Sequence, residues 1–181
     1  MKKTFTLLLI MMMIAQFSFA QEEATGRIFK KFKTDVSLGY AIPQGSGTKG
    51  GVLFVIEPKY AVLDALSVGL RIEGAALASI DIAGEKGDVR VLTSYLATGD
   101  YYFSNNKFRP FAGAGAGMFT MASVDIKGTS AAVPSASTFG FMARAGFELG
   151  HFRMGAEYNF LKNKAGYLGI KIGACIGGGR K

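Results

Sequence analysis

Alternation of apolar and polar side chains, repeated eight times along the chain, restricts what this sequence can fold into more than any other feature. In His151–Phe160, Phe152, Met154, Ala156, Tyr158 and Phe160 share one parity, and His151, Arg153, Gly155, Glu157 and Asn159 the other. Successive side chains of a β-strand point to opposite faces, so this segment reads as a strand with one apolar and one polar side. A helix would mix the two sets around its circumference. The same parity rule covers Phe32–Ile42, Val52–Val62, Leu66–Ala78, Phe108–Val124, Phe139–Leu149 and Tyr167–Ile176. Val89–Phe103 is less regular, because Leu92 and Leu96 share a parity with Arg90, Ser94 and Asp100.

The connections alternate as well. Leu63–Ala65, Ser104–Lys107 and the corner at Gly150 are tight, whereas Pro43–Gly51, Asp81–Asp88 and Lys127–Ser137 are longer and rich in Gly, Ser and Thr. The last connection, Lys162–Gly166, is shorter but polar. Strand pairs recur roughly every forty residues, which suits an antiparallel up-and-down meander. The expected fold class is therefore all-β, an eight-stranded antiparallel up-and-down barrel in one domain over residues 32–181. Residues 21–31 are expected to be a mobile leader.

Met1–Ala20 is set aside before fold reasoning. Lys2 and Lys3 form a basic start, Thr4–Phe19 carries no charge, and Ser18-Phe19-Ala20 places small residues before a cut preceding Gln21. This is the pattern of a cleaved secretory signal peptide. A membrane helix is the competing reading, but the run is followed by Gln21-Glu22-Glu23 and not by a basic stop-transfer cluster. No cysteine follows it to carry a lipid. The whole chain carries 21 basic and 13 acidic residues, and removing two lysines leaves a charge of +6. The single cysteine, Cys175, excludes an internal disulfide and a four-thiolate zinc site, and it reads as a small packed side chain.

A water-soluble barrel places its apolar face inside; a membrane barrel reverses this. Three features favour the membrane. The polar face is built of glycine and paired charge, with Gly113, Gly115, Gly117, Gly140, Gly146, Gly169 and Gly173 where strands of a narrow barrel would crowd. Aromatics such as Tyr40, Tyr60, Tyr101, Phe103, Phe108 and Phe160 gather near strand ends, as interfacial girdles do. The polar face also balances its charges, with cations Lys33, Lys59, Arg71, Arg90, Arg109, Arg144, Arg153 and Lys171 against anions Asp35, Glu57, Glu73, Asp100, Asp125, Glu148 and Glu157. Such balance suits an enclosed lumen in which buried charges must be paired. A cation facing lipid at the midplane costs about 2–4 kcal/mol, so this face must point inward. Eight strands leave an interior just wide enough for side chains to fill. These charges are thus expected to form a polar network filling the lumen, not a conducting path. A soluble, lipocalin-like barrel is the alternative fold.

At this point the chain resembles the small eight-stranded outer-membrane β-barrel superfamily over about Phe32–Gly177. The likeness rests on the pattern together with Tyr95–Phe103, Arg109–Gly117 and Phe152–Asn159. It implies the outer membrane of a Gram-negative cell, assembly by the barrel insertion machinery, contact with outer-membrane lipid and lipopolysaccharide, and both termini in the periplasm. Such barrels commonly end on an aromatic residue, whereas this sequence closes on Gly177-Gly178-Gly179-Arg180-Lys181. The resemblance leaves activity open, since members include anchors, adhesins, small pores and lipid-modifying enzymes.

The remaining motifs carry little chemistry. Gly45-Ser46-Gly47-Thr48-Lys49-Gly50 matches G-x-G-x-x-G without the following helix that dinucleotide binding needs, and reads as a surface loop. Gly113–Gly117 is too strand-like to cradle phosphate. His151 is the only histidine, so a metal site would need partners the spacing does not supply. A catalytic pairing of His151 with Glu157 or Glu148 would need a nucleophile within reach of the base. Loop lysines Lys49, Lys86, Lys127, Lys162 and Lys164 could meet lipopolysaccharide phosphates, and Arg27, Lys30, Lys31, Arg180 and Lys181 would gather at the opposite rim. Solvated surface lysines are the plainer reading of both. No basic stripe with interleaved aromatics points to nucleic acid. The expectation is a non-enzymatic barrel without cofactor, structural or surface-interacting. The alternatives are a passive pore or binding barrel for small, including hydrophobic, molecules and, behind it, a lipid-modifying enzyme.

Overall fold

The computed structural model describes residues 28–44, 50–80, 87–125, 136–161 and 166–180; of 77–80, 87–90 and 123–125 it describes the backbone only. The elements are β1 (Phe32–Pro43), β2 (Gly51–Leu63), β3 (Leu66–Ile80), β4 (Gly87–Tyr102), β5 (Phe108–Asp125), β6 (Ala136–Leu149), β7 (Phe152–Phe160) and β8 (Tyr167–Gly177). Each strand pairs antiparallel with its neighbour in sequence, and β8 returns to β1, closing the barrel. Closure leaves no unpaired edge, so every strand finds its backbone partners inside the sheet. No helix among the described residues is long and apolar enough to cross a membrane. The strands reach the roughly nine to eleven residues that a tilted strand needs to cross hydrocarbon.

Which face looks inward is decided at adjacent residues. Leu70 is 66% exposed and Arg71 is 1% exposed. The inversion runs around the barrel: Leu38, Phe54, Ile72, Phe141 and Ile172 are exposed, while Asp35, Glu57, Glu73, Arg144 and Lys171 are buried. Aromatics form two belts on the outer wall. Phe32 packs edge-on against Tyr60 and Tyr101 against Phe103 at the end with the tight turns, and Phe139–Phe141 and Tyr158–Phe160 pair at the loop end.

Local chemistry explains the turns and close approaches. Gly150 closes the β6–β7 corner with φ +63°, a left-handed conformation that glycine adopts without a Cβ clash. At Gly113 a Cβ would strike the Asp100 carboxylate and sit 2.6 Å from the Gly99 carbonyl oxygen, so the missing side chain leaves room for an ion pair in the lumen.

Residues 28–31, the described part of the segment before β1, are hydrogen-bonded to the barrel. Within the described part, the Asp64 carboxylate accepts from the N–H groups of Ile28 (3.1 Å) and Phe29 (3.2 Å). Lys30 N–H donates to the Gly179 carbonyl (3.1 Å), Lys31 carbonyl accepts from Ala61 N–H (2.7 Å), and Phe29 bridges to Arg180. A short strap therefore crosses the terminal end of the barrel. The reason is local: the β2–β3 turn places Asp64 where its oxygens meet two backbone donors that have no strand partner.

Candidate functional site: a sealed lumen

Alternation sends one residue in two of every strand into the interior, and thirteen of the fifteen charged residues expected there have described side chains, all buried. Arg90 and Asp125 lie outside the described side chains. The thirteen, Lys33, Asp35, Glu57, Lys59, Arg71, Glu73, Asp100, Arg109, Arg144, Glu148, Arg153, Glu157 and Lys171, form tiers stacked from the terminal end upward.

In the lowest tier, Glu148 accepts from Lys33 (2.5 Å), from the Tyr102 hydroxyl (2.6 Å) and from Arg153. The guanidinium carbon of Arg109 lies over two rings, 3.9 Å from the Phe29 centroid and 4.1 Å from that of Tyr102. In the middle tier, Asp100 accepts from Lys59 (2.7 Å), Arg153 (2.8 Å) and Arg144 Nε (2.7 Å). Arg144 also grips Glu57 with both terminal nitrogens, at 2.7 and 2.6 Å, and the Thr98 hydroxyl donates to the same carboxylate (2.5 Å). This two-pronged grip ties β6 to β2 and β4 across the interior, a geometry that a guanidinium offers and an ammonium does not. Asp35 pairs with Lys59, and with Arg153 Nε at 3.4 Å. Above them, Arg71 pairs with both Glu73 and Glu157, Lys171 reaches Glu157 (2.5 Å), and the Tyr167 hydroxyl donates to Glu73.

The upper interior is different. Leu53, Val55, Ala75, Leu92, Leu96, Phe119, Met142 and Tyr167 form an apolar cluster above the ion pairs, with Ala41. The polar filling expected throughout the lumen is therefore capped by an apolar layer. The irregular parity of Val89–Phe103 is its trace in the sequence: Leu92 and Leu96 point inward with Ser94 and Asp100 because this layer receives them. Phe119 and Met142 left no such trace, and neither did the lumen-facing hydroxyls of Tyr102, Tyr167 and Thr98.

The arrangement limits the chemistry available. His151 Nδ1 lies 2.8 Å from the Cys175 carbonyl oxygen, and Glu148 and Glu157 are held by cations. Asp35, Glu148 and the Cys175 thiol come within 4.8 Å of one another, yet Lys33, Lys59 and Arg153 already neutralise both carboxylates. The loop lysines Lys49, Lys86, Lys127, Lys162 and Lys164 lie outside the described residues, as do Arg27, Lys181 and all of the glycine motif 45–50 except Gly50. Lys30, Lys31 and Arg180 are exposed at the terminal end.

A closed antiparallel barrel with a greasy outer wall and its charges sealed within is a transmembrane β-barrel. The chain belongs to the outer membrane protein beta-barrel domain family, whose profile matches residues 5–174, and the protein is accordingly one of the outer membrane. Among solved structures it is similar to Neisserial surface protein A, at 15% identity over 82% of this chain and 98% of that one, with a TM-score of 0.61. It is also similar to the N-terminal β-barrel domain of Pseudomonas aeruginosa OprF, at 14% identity over 82% and 99% of the two chains, TM-score 0.51. Ail, the attachment invasion locus protein of Yersinia pestis, matches at 16% identity over 84% and 100%, TM-score 0.50. At these identities the likeness is one of fold. Among curated proteins no sequence matches the chain.

Proposed function

We propose that this protein is a non-conducting, non-enzymatic barrel that serves as a structural anchor or surface-interaction element, its terminal end in the periplasm and its longer loops outside the cell. The observation that carries this reading is the doubly closed lumen. Ion pairs cross the interior in stacked tiers, and an apolar layer lies above them. An ion entering this path would have to displace charge-assisted bonds and then pass the packed apolar side chains above them. The buried acids and bases are spent on one another, which leaves no group among the described residues of the lumen placed to activate a nucleophile. On this reading the loop lysines face lipopolysaccharide phosphates, and the barrel insertion machinery handles the chain during assembly.

Planar-bilayer recording on the purified protein tests the proposal. It predicts a baseline without steady open-channel current under conditions in which a control porin conducts. Long-lived openings of reproducible size would overturn it in favour of a small pore.

A further inference from the structure

At the terminal end of the barrel, beside the strap, lies a cavity of about 280 Å³. Its floor includes Lys33, Arg109, Glu148 and Cys175, its rim the exposed Lys107, His151 and Arg180, and Phe29 with the Gly177–Gly179 backbone lines one side. Among the described residues the lysines and arginines around it number four, against one carboxylate. That carboxylate is heavily shared: Glu148 serves Lys33 at 2.5 Å, Arg153, and Arg109 only at 3.8 Å. Asp64, the acid of the neighbouring turn, places its two oxygens on the N–H groups of Ile28 and Phe29.

Arg109 is thus a buried cation whose one carboxylate contact among the described residues is long. Two of its nitrogens donate to the carbonyls of Asp64 (2.5 Å) and Ser104 (3.3 Å), and its guanidinium carbon lies over the rings of Phe29 and Tyr102. A guanidinium held in this way can take an oxyanion at little cost in side-chain entropy. We propose that the cavity binds an oxyanion of the phosphate class, anchored by Arg109 and clamped from the rim by Lys107 and Arg180. A phosphate fits better than a carboxylate, because the cation excess among the described lining residues exceeds one charge. The phosphate is either free or part of an esterified headgroup, and both sources present the same chemistry to these side chains.

The test uses the full-length mature protein, labelled with ¹⁵N, in alkyl maltoside micelles at constant ionic strength. Sodium phosphate and sn-glycerol 3-phosphate are titrated separately, with sodium chloride as control, while the amide resonances of Gly178 and Gly179 are followed. The expected result is a saturable shift with at least one of the two phosphates and none with chloride. Saturation by inorganic phosphate assigns the site to the free anion; saturation by glycerol 3-phosphate alone assigns it to an esterified one. Arg109→Gln should weaken binding by about tenfold or more, the size expected for a lost charge-assisted bond. Because Arg109 also braces the strap, the double variant Lys107→Gln/Arg180→Gln, altered only at exposed positions, is measured alongside and should also bind about tenfold more weakly. Shifts that drift linearly as with chloride, or an unchanged dissociation constant in the double variant, would overturn the proposal.

Discussion

Replacing Arg71 by methionine removes the one cation in ion-pair contact with Glu73 among the described residues. Arg71, Glu73 and Glu157 are each 1% exposed, and the guanidinium of Arg71 contacts both carboxylates. The two acids are not left in the same condition. Glu157 keeps Lys171 at 2.5 Å, whereas Glu73 keeps only the hydroxyl of Tyr167, with no other cation in ion-pair contact among the described residues. Breaking a buried pair by deleting one partner costs about 3–5 kcal/mol, most of it the desolvation of the abandoned charge. Arg71→Met should therefore lose about that much stability. The double variant Arg71→Met/Glu73→Gln removes the stranded charge along with its partner and should recover most of the loss, since buried pairs exchanged for neutral groups are often near neutral in stability. Urea unfolding in micelles, followed by the heat-modifiable gel mobility of the folded barrel, supplies the free energies. The sequence contains no tryptophan, so intrinsic indole fluorescence is not available as a probe. A single variant within about 1 kcal/mol of the parent, or a double variant less stable than the single one, would refute the reasoning that Glu73 depends on Arg71 for its counter-charge.

Two neighbouring perturbations separate the outer wall and the strap from the lumen. Leu70→Arg puts a cation on the lipid-facing wall one residue from an arginine that the lumen accepts, and should destabilise the barrel by about 2–4 kcal/mol in the same unfolding assay. Stability equal to the parent would mean that Leu70 does not face acyl chains. Asp64→Ala deletes the carboxylate that accepts from Ile28 and Phe29. It should release the strap at about 0.5–1.5 kcal/mol per hydrogen bond, seen as faster amide exchange at residues 28–31 while the strands keep their protection. Unchanged exchange at those residues would show that other contacts hold the strap.

Much of the fold was legible because a strand writes its two environments directly into sequence parity. The expected segments match the eight strands to within about three residues, and the ragged edges fall where β4 and β6 run into the long loops. The thirteen charged positions with described side chains were legible for the same reason, since a cation on an outward parity would have to face lipid. Parity gives a face but no height. It therefore carried no sign that Phe119 and Met142 meet Leu53 and Leu92 in one apolar layer, because those residues come from different strands and are brought together by stagger alone. The partnering of Arg144 with Glu57, eighty-seven residues away, was equally hidden.

Residue order alone determined that this chain must make strands, that they must close on themselves, and that one parity must bear the charge. Each of these follows from interactions between near neighbours and the medium. Only the tertiary structure decided which acid meets which base, where the polar filling gives way to an apolar cap, and how the strap and the Arg109 cavity form at the terminal end. Those outcomes depend on how far each strand slides against the next as the barrel closes. That slide is a property of the whole sheet, and no single strand records it.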